Sequence, residues 1–186
     1  AGDAIVAEFV KDGVDTDYLV RSGKSPFTYI IVDKETNTRT CIHTPGDVFA
    51  PEEMTQDMVD SILEGASAVY FDGRLAEAAA ILAKAAREKG IPVLVEAERL
   101  RPGLDVLLHH ADYVITSAHF PQQWTGKENV ADAMVEILGS LPHACWISTT
   151  LGSRGALLLE KTDLEGRVSG MSFEIDQLFA RAQHQS

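Results

Sequence analysis

The stretch Ser148–Glu160, S-T-T-L-G-S-R-G-A-L-L-L-E, sets small, hydroxyl-bearing and glycine residues between two β-prone segments, Cys145–Thr149 and Gly155–Glu160. Such residues at a strand exit let a ligand come close to the backbone, and ligands of open α/β sheets gather at the carboxyl ends of strands. The loop is therefore a candidate nucleotide loop. A plainer alternative fits the same residues: a tight hairpin turn in which Gly152 and Gly155 only supply unusual dihedrals.

Working back towards the amino terminus, three more short apolar runs read as strands, at Ala68–Asp72, Pro92–Glu96 and Tyr113–Thr116. Helical stretches separate them, and strands alternating with helices predict a parallel α/β layer. Pro51–Leu63 begins with proline at a favourable first-turn position and continues with Glu52 and Glu53, which suit the positive end of a helix. Leu75–Lys89 is rich in alanine, gathers Lys84, Arg87 and Lys89 towards its end, and is followed by Gly90, a stop signal. Asn129 can cap a helix that runs to about Ser140.

Before Pro45 and Gly46 the pattern differs. Ala4–Val10 reads as a helix closed by Lys11, Asp12 and Gly13. Phe27–Asp33 and Arg39–His43 flank the polar stretch Lys34–Thr38 as a hairpin, with Tyr18–Val20 as a candidate third strand of a small antiparallel sheet. At the other end, Ile175, Leu178, Phe179 and Ala182 are spaced to form one stripe of a short helix within Phe173–Gln185.

Composition narrows the function classes. The 186 residues are 45% hydrophobic and 24% charged, as in average soluble proteins, and the length suffices for one domain with a buried core. Sixteen Lys and Arg against 28 Asp and Glu give a net charge of −12, which argues against nucleic acid or an anionic membrane surface as partner. No apolar run reaches the ~20 residues of a membrane helix, and no basic segment followed by an apolar core opens the chain. Cytoplasm is the default location. Cys41 and Cys145 lack metal-ligand spacing and read as reduced, buried packing residues.

T-L-G-S-R-G at Thr150–Gly155, followed by A-L-L-L-E, resembles the nucleotide-loop segment of the ribokinase-like, or PfkB, carbohydrate kinases. Further segments fall in that family's order. G-V-D-T at Gly13–Thr16 resembles the segment before its lid strands, and Phe27–His43 resembles the lid itself, a small sheet over the sugar. F-D-G-R at Phe71–Arg74, E-A-E-R at Glu96–Arg99 and A-D-Y-V-I-T-S at Ala111–Ser117 are most similar to the ketohexokinase and plant PfkB-type branch. The resemblance covers residues 1–161, with lid strands at about 18–43, and leaves residues 162–186 as a divergent tail. It implies a ribokinase-like α/β fold, a mainly parallel sheet flanked by helices with a small antiparallel β lid.

It also implies phosphoryl transfer from ATP, with Mg²⁺, to a hydroxyl of a sugar or related small molecule. Carried over by position, Thr150, Gly152, Ser153, Gly155 and Ser117 would serve the nucleotide. Asp72 would face the sugar, where a carboxylate can accept hydrogen bonds from hydroxyls, with Arg74 beside it. Capping of the following helix is the alternative for Asp72. Arg74 or Arg99 could meet phosphate, or be solvated surface groups.

The departures from the family pattern concern catalysis. Where many members carry N-x-x-E, organising Mg²⁺ and phosphate, this sequence reads Ser117, Ala118, His119, Phe120. No G-A-G-D string, which would supply an anion hole and the catalytic base, occurs after Lys161. The expectation is the middle of a sugar-kinase fold, truncated at both ends and inactive alone. A non-catalytic nucleotide- or sugar-binding form, or a homodimer through the β lid, is the alternative.

The remaining histidines suggest no site. His109 and His110 are adjacent and cannot form an i, i+4 metal pair, so a helix-end surface role is expected, and His43, His119 and His143 are dispersed in sequence. Trp124 reads as core.

Overall fold

The structure is a computed structural model, which describes residues 2–17, 19 and 23–161. Tyr18 and Val20 of the candidate strand, and the tail helix, lie outside the described residues. Two compact units divide between Phe49 and Ala50.

In the first unit, helix α1 (Gly2–Lys11) precedes an antiparallel hairpin of β1 (Phe27–Asp33) and β2 (Thr38–Thr44). The turn forms because the Asp33 carboxylate accepts from the backbone N–H groups of Glu35 and Thr36, at 2.8 and 3.3 Å, an Asx-type closure. Asn37, at φ +53°, completes the reversal. Every residue of both strands is exposed.

The second unit is the expected α/β layer. Strands β3 (Val69–Phe71), β4 (Val93–Ala97), β5 (Tyr113–Thr116), β6 (Trp146–Thr150) and β7 (Ala156–Glu160) form one sheet in sequence order. The first four are parallel. β7 departs from the parallel reading and runs antiparallel to β6, with Thr150 opposite Ala156. The five residues between them are too few for a parallel crossover, which needs a dozen or more.

Helices α2 (Gln56–Leu63), α3 (Ala76–Glu88), α4 (Leu104–His109), α5 (Phe120–Thr125) and α6 (Val130–Ser140) supply the rest of the core. Val93, Val95, Ala97, Val114 and Ile147 alternate along the strands and are fully buried in one apolar cluster with Leu104, Leu107, Phe120 and Met134. On the opposite face Leu94, Tyr113, Ile115 and Trp146 are only half-buried, and Tyr113 stacks on Trp146 at 5.0 Å.

Two local expectations need correction. Pro51–Leu63 is not one helix: a single 3-10 turn at Pro51–Glu53 ends at Met54, and α2 starts afresh behind Thr55, whose hydroxyl accepts from Met58 N at 3.3 Å. Glu53 is consumed by the first turn, its carboxylate accepting from Ala50 N at 2.6 Å. Cys41 and Cys145 are both exposed rather than buried, because Cys41 lies on the open hairpin and Cys145 just ahead of β6. Asn129 does cap α6, accepting from Ala131 N and Asp132 N, and Trp124 packs half-buried against Phe120.

The amino ends of the strands are held by Asp112. Its carboxylate accepts from Arg87 Nη1 on α3 at 2.6 Å and from Val93 N at the start of β4 at 2.8 Å. Its own N–H donates to Val93 O, and its carbonyl accepts from Cys145 N at 2.7 Å. One residue thereby spans α3, β4, β5 and the entry to β6.

His143 is not isolated, since the fold brings its ring to 5.9 Å from His109, which lies 5.6 Å from His110. Burial, followed by the positive charges of its neighbours, holds His110 below the usual imidazole range, and the same order of causes, Arg87 leading the charges, holds down His143. Protons therefore bind the unfolded chain in preference to the folded one. Stability from these two groups is complete above the unfolded value of about 6.5 and falls as pH drops through it. Urea unfolding midpoints should decline between about pH 7 and 5.5, and His110→Gln with His143→Gln should flatten that decline; an unchanged slope in the double variant would refute the assignment.

Candidate functional site

Because β3 to β6 are parallel, their carboxyl ends lie along one edge of the sheet, and each exit carries polar residues. After β3 come Asp72, Gly73 and Arg74. The Asp72 carboxylate accepts from Arg74 N at 3.0 Å and pairs with Arg74 Nε at 3.1 Å, both side chains remaining more than half exposed. Helix capping is excluded for Asp72, because Leu75 occupies the cap position of α3 without a side-chain bond. Gly73 is required where it stands: its φ is +69°, and a Cβ there would lie 2.6 Å from Glu96 O. The β3 exit is thus pressed against the end of β4.

The β4 exit carries Glu98, Arg99 and Arg101. Arg99 Nη2 pairs with Glu98 Oε1 at 2.8 Å, while Glu98 O accepts from Ser117 Oγ at 2.6 Å. The Glu98 carboxyl is held below the ordinary carboxylate range by the Arg99 hydrogen bond first, then by the charges of Arg99, Arg74 and Arg101. On the half-buried sheet face, Tyr70 donates to the Glu96 carboxylate, and this bond above all pushes the phenol up to about 12.

Ser117, half-buried at the β5 exit, is joined to β4 through its N–H, which donates to Ala97 O at 3.3 Å. Behind it, the buried hydroxyls of Thr116 and Thr149 meet at 2.6 Å, and Thr150 Oγ1 donates to Thr116 O at 3.4 Å. Hydroxyl pairing in the core fixes the β5 and β6 exits side by side, since a buried hydroxyl without a partner is costly.

The β6 exit is the loop Leu151–Gly155. Leu151 is buried and its N–H donates to Gly155 O at 2.7 Å, while Gly152 to Gly155 are exposed. Gly152 at φ +62° and Gly155 at φ +88° take the dihedrals expected of a hairpin turn, so that alternative describes the backbone. Gly152 faces open space, since a Cβ placed on it would meet nothing within 4 Å. Asp72 with Arg74, and Thr150 to Gly155 with Ser117, occupy different parts of the edge. From β3 to β6 there are three strand spacings, about 14 Å. Glu98, Arg101 and the Thr116–Thr149 pair escaped sequence reasoning, although E-A-E-R begins on the last residue of a predicted strand. Among the described residues no three His, Cys, Asp or Glu side chains converge as metal ligands, so these residues form no protein-only cage for Mg²⁺. None of the helices described is long and apolar enough to cross a membrane.

Residues 1–175 match the family described as pfkB family carbohydrate kinase. The chain belongs to that family. Solved pfkB-type structures share its fold. The ribokinase of Thermotoga maritima superposes with a TM-score of 0.68 at 20% identity, covering 87% of this chain and 53% of the other. The ribokinase of Giardia lamblia gives 0.66 at 16%, covering 92% and 56%. The phosphofructokinase-2 of Escherichia coli in complex with fructose-6-phosphate gives 0.65 at 17%, covering 99% and 66%. The chain therefore spans between half and two thirds of the length of these kinases. No curated protein gives a significant match.

The exit loops depend on close backbone approach at Gly73. Replacement Gly73→Ala should cost about 1–3 kcal/mol in urea unfolding, from positive φ and the contact with Glu96 O. Unchanged stability would show that the β3 and β4 exits are not locked together.

Proposed function

We propose that the complete protein transfers the terminal phosphoryl group of ATP to a hydroxyl of a sugar or sugar-like small molecule. The observation that carries this reading is the order of groups along one sheet edge: a carboxylate at the β3 exit, a serine at the β5 exit and an open glycine loop at the β6 exit. Thr150, Gly152, Ser153 and Gly155 hold the nucleotide, with Ser117 next to them. Asp72 accepts a hydrogen bond from an acceptor hydroxyl, oriented by its own bonds to Arg74. Mg²⁺, bound chiefly by nucleotide phosphates and water with at most one or two carboxylates, supplies charge neutralisation at the phosphates.

Phosphoryl transfer rests on positioning and on stabilising charge, with a base to receive the acceptor proton. The described residues provide positioning. No G-A-G-D string is present to provide base and anion hole, and we infer that this chain binds substrates without turning them over. Two unpaired cysteines suit a reducing, cytoplasmic setting.

A second role is favoured by the hairpin. Phe27, Tyr29 and Ile31 share one of its faces with Ile42, Ile30 and Val32 lie on the other, and all six are exposed. A homodimer through these strands would remove that surface from water.

Binding to the folded state alone must raise its stability, by about 2.7 kcal/mol at a ligand concentration of 100 Kd. Mg-ATP should raise the melting temperature of this chain, Gly152→Val should abolish the rise, and no ADP should form with any sugar; a melt indifferent to Mg-ATP would remove the nucleotide site. For the hairpin, sedimentation equilibrium should show a dimer that Tyr29→Lys with Ile31→Lys dissociates. A wild-type chain that stays monomeric at all concentrations would dispose of the interface.

A further inference from the structure

Arginine is concentrated along the carboxyl edge of the sheet. From Ala50 onward the described residues hold five arginines, Arg74, Arg87, Arg99, Arg101 and Arg154, and all but Arg87 lie at strand exits on this one edge. Three of them belong to the two neighbouring exits of β3 and β4, at the end of the edge away from the nucleotide loop. Arg74 pairs with Asp72 and Arg99 with Glu98. Arg74 and Arg101 both act on the Glu98 carboxylate through space. Three guanidinium groups share this corner with the Asp72 and Glu98 carboxylates, while the nearby Glu96 carboxylate is taken by Tyr70.

The two ion pairs are exposed, with Arg74 at 61% and Arg99 at 63% of full side-chain exposure. Exposed pairs of this kind contribute little, so an incoming anion can take over their donors at small cost. Each guanidinium carries five N–H donors, and the two pairs use only a few of them. The neighbouring carboxylates orient the planar groups while leaving donors directed to solvent. Gly73 packed against Glu96 O keeps the β3 exit, which carries Arg74, adjacent to the β4 exit, which carries Arg99 and Arg101.

We propose that Arg74, Arg99 and Arg101 form a receptor for an oxyanion on the acceptor, so that the molecule phosphorylated is an anionic sugar, carrying a phosphate or a carboxylate, rather than a neutral one. This rests on the kinase reading above. Asp72 and the arginines then divide the acceptor between them, the carboxylate taking a hydroxyl and the guanidinium groups taking the charged end through paired N–H···O bonds. Glu98 holds the arginines ready and is a positioning residue.

The test is titration of the whole chain by calorimetry, at fixed ionic strength, with inorganic phosphate, fructose 6-phosphate, gluconate and fructose, and separately with Mg-ATP. Fructose 6-phosphate or gluconate should bind at least tenfold more tightly than fructose, and the tighter of the two identifies phosphate or carboxylate as the anion. Inorganic phosphate should compete with fructose 6-phosphate. Arg99→Gln with Arg101→Gln should weaken sugar-anion binding at least tenfold and leave Mg-ATP binding unchanged. Arg99 is exposed and Arg101 half-buried, and an unchanged thermal melt of the unliganded variant verifies its fold. Equal binding of neutral and anionic sugars, or sugar-anion binding that the double variant retains, overturns the receptor. So does a double variant that loses Mg-ATP instead, because the arginines would then serve the nucleotide. Mg-ATP binding without any sugar-anion binding overturns the receptor alone, whereas absence of both removes the kinase reading with it.

Discussion

The α/β unit depends on one partly buried carboxylate. Asp112 stands where four elements begin or end, and its backbone and side chain together satisfy Arg87, the N–H and carbonyl of Val93, and the N–H of Cys145. Charge-assisted hydrogen bonds of this kind are shorter and stronger than neutral ones. Removing the carboxylate would leave a half-buried guanidinium and a backbone donor without partners, a costlier state than a lost surface pair. Parallel strands cannot be joined by tight turns, so their relative heights must be set by something other than the connections. Asp112 does this at the amino edge, and the buried Thr116–Thr149 hydroxyls do it towards the other.

Locking the amino edge frees the opposite one for chemistry. At the carboxyl edge the strand exits need not hold the sheet together, so their side chains can stay exposed and charged. Asp72, Arg74, Glu98 and Arg99 are all more than about 45% exposed and linked in local ion pairs that stabilise little but orient well. The division between a rigid edge and a reactive edge is the general logic of open α/β sheets, in which ligands collect beyond the carboxyl ends of strands. Glycine appears where that edge would otherwise be too thick, as at Gly73, whose Cβ would overlap Glu96 O.

The chain belongs to the pfkB family and spans little more than half the length of solved ribokinases that share its fold. The sheet is well formed and its buried face is continuous, while the face bearing Tyr113 and Trp146 is half-buried among the described residues.

Much of this was legible from residue order. Alternating β-prone and helical stretches specify the layer and Asn129 specifies the start of α6, because each signal arises from neighbours within a few residues. The E-A-E-R stretch showed Arg99 but not that Glu98, Arg74 and Arg101 act on one another, since those contacts join separate exits. Nor could composition show that Thr55 would override the proline at position 51 as a helix start, that β7 would turn antiparallel, or that His143 would meet His109. Local propensity, charge and glycine placement were determined by the sequence alone. The tertiary structure alone decided which of those residues share an edge, because that depends on strand register and on how Asp112 and the threonine pair align strands far apart in the chain.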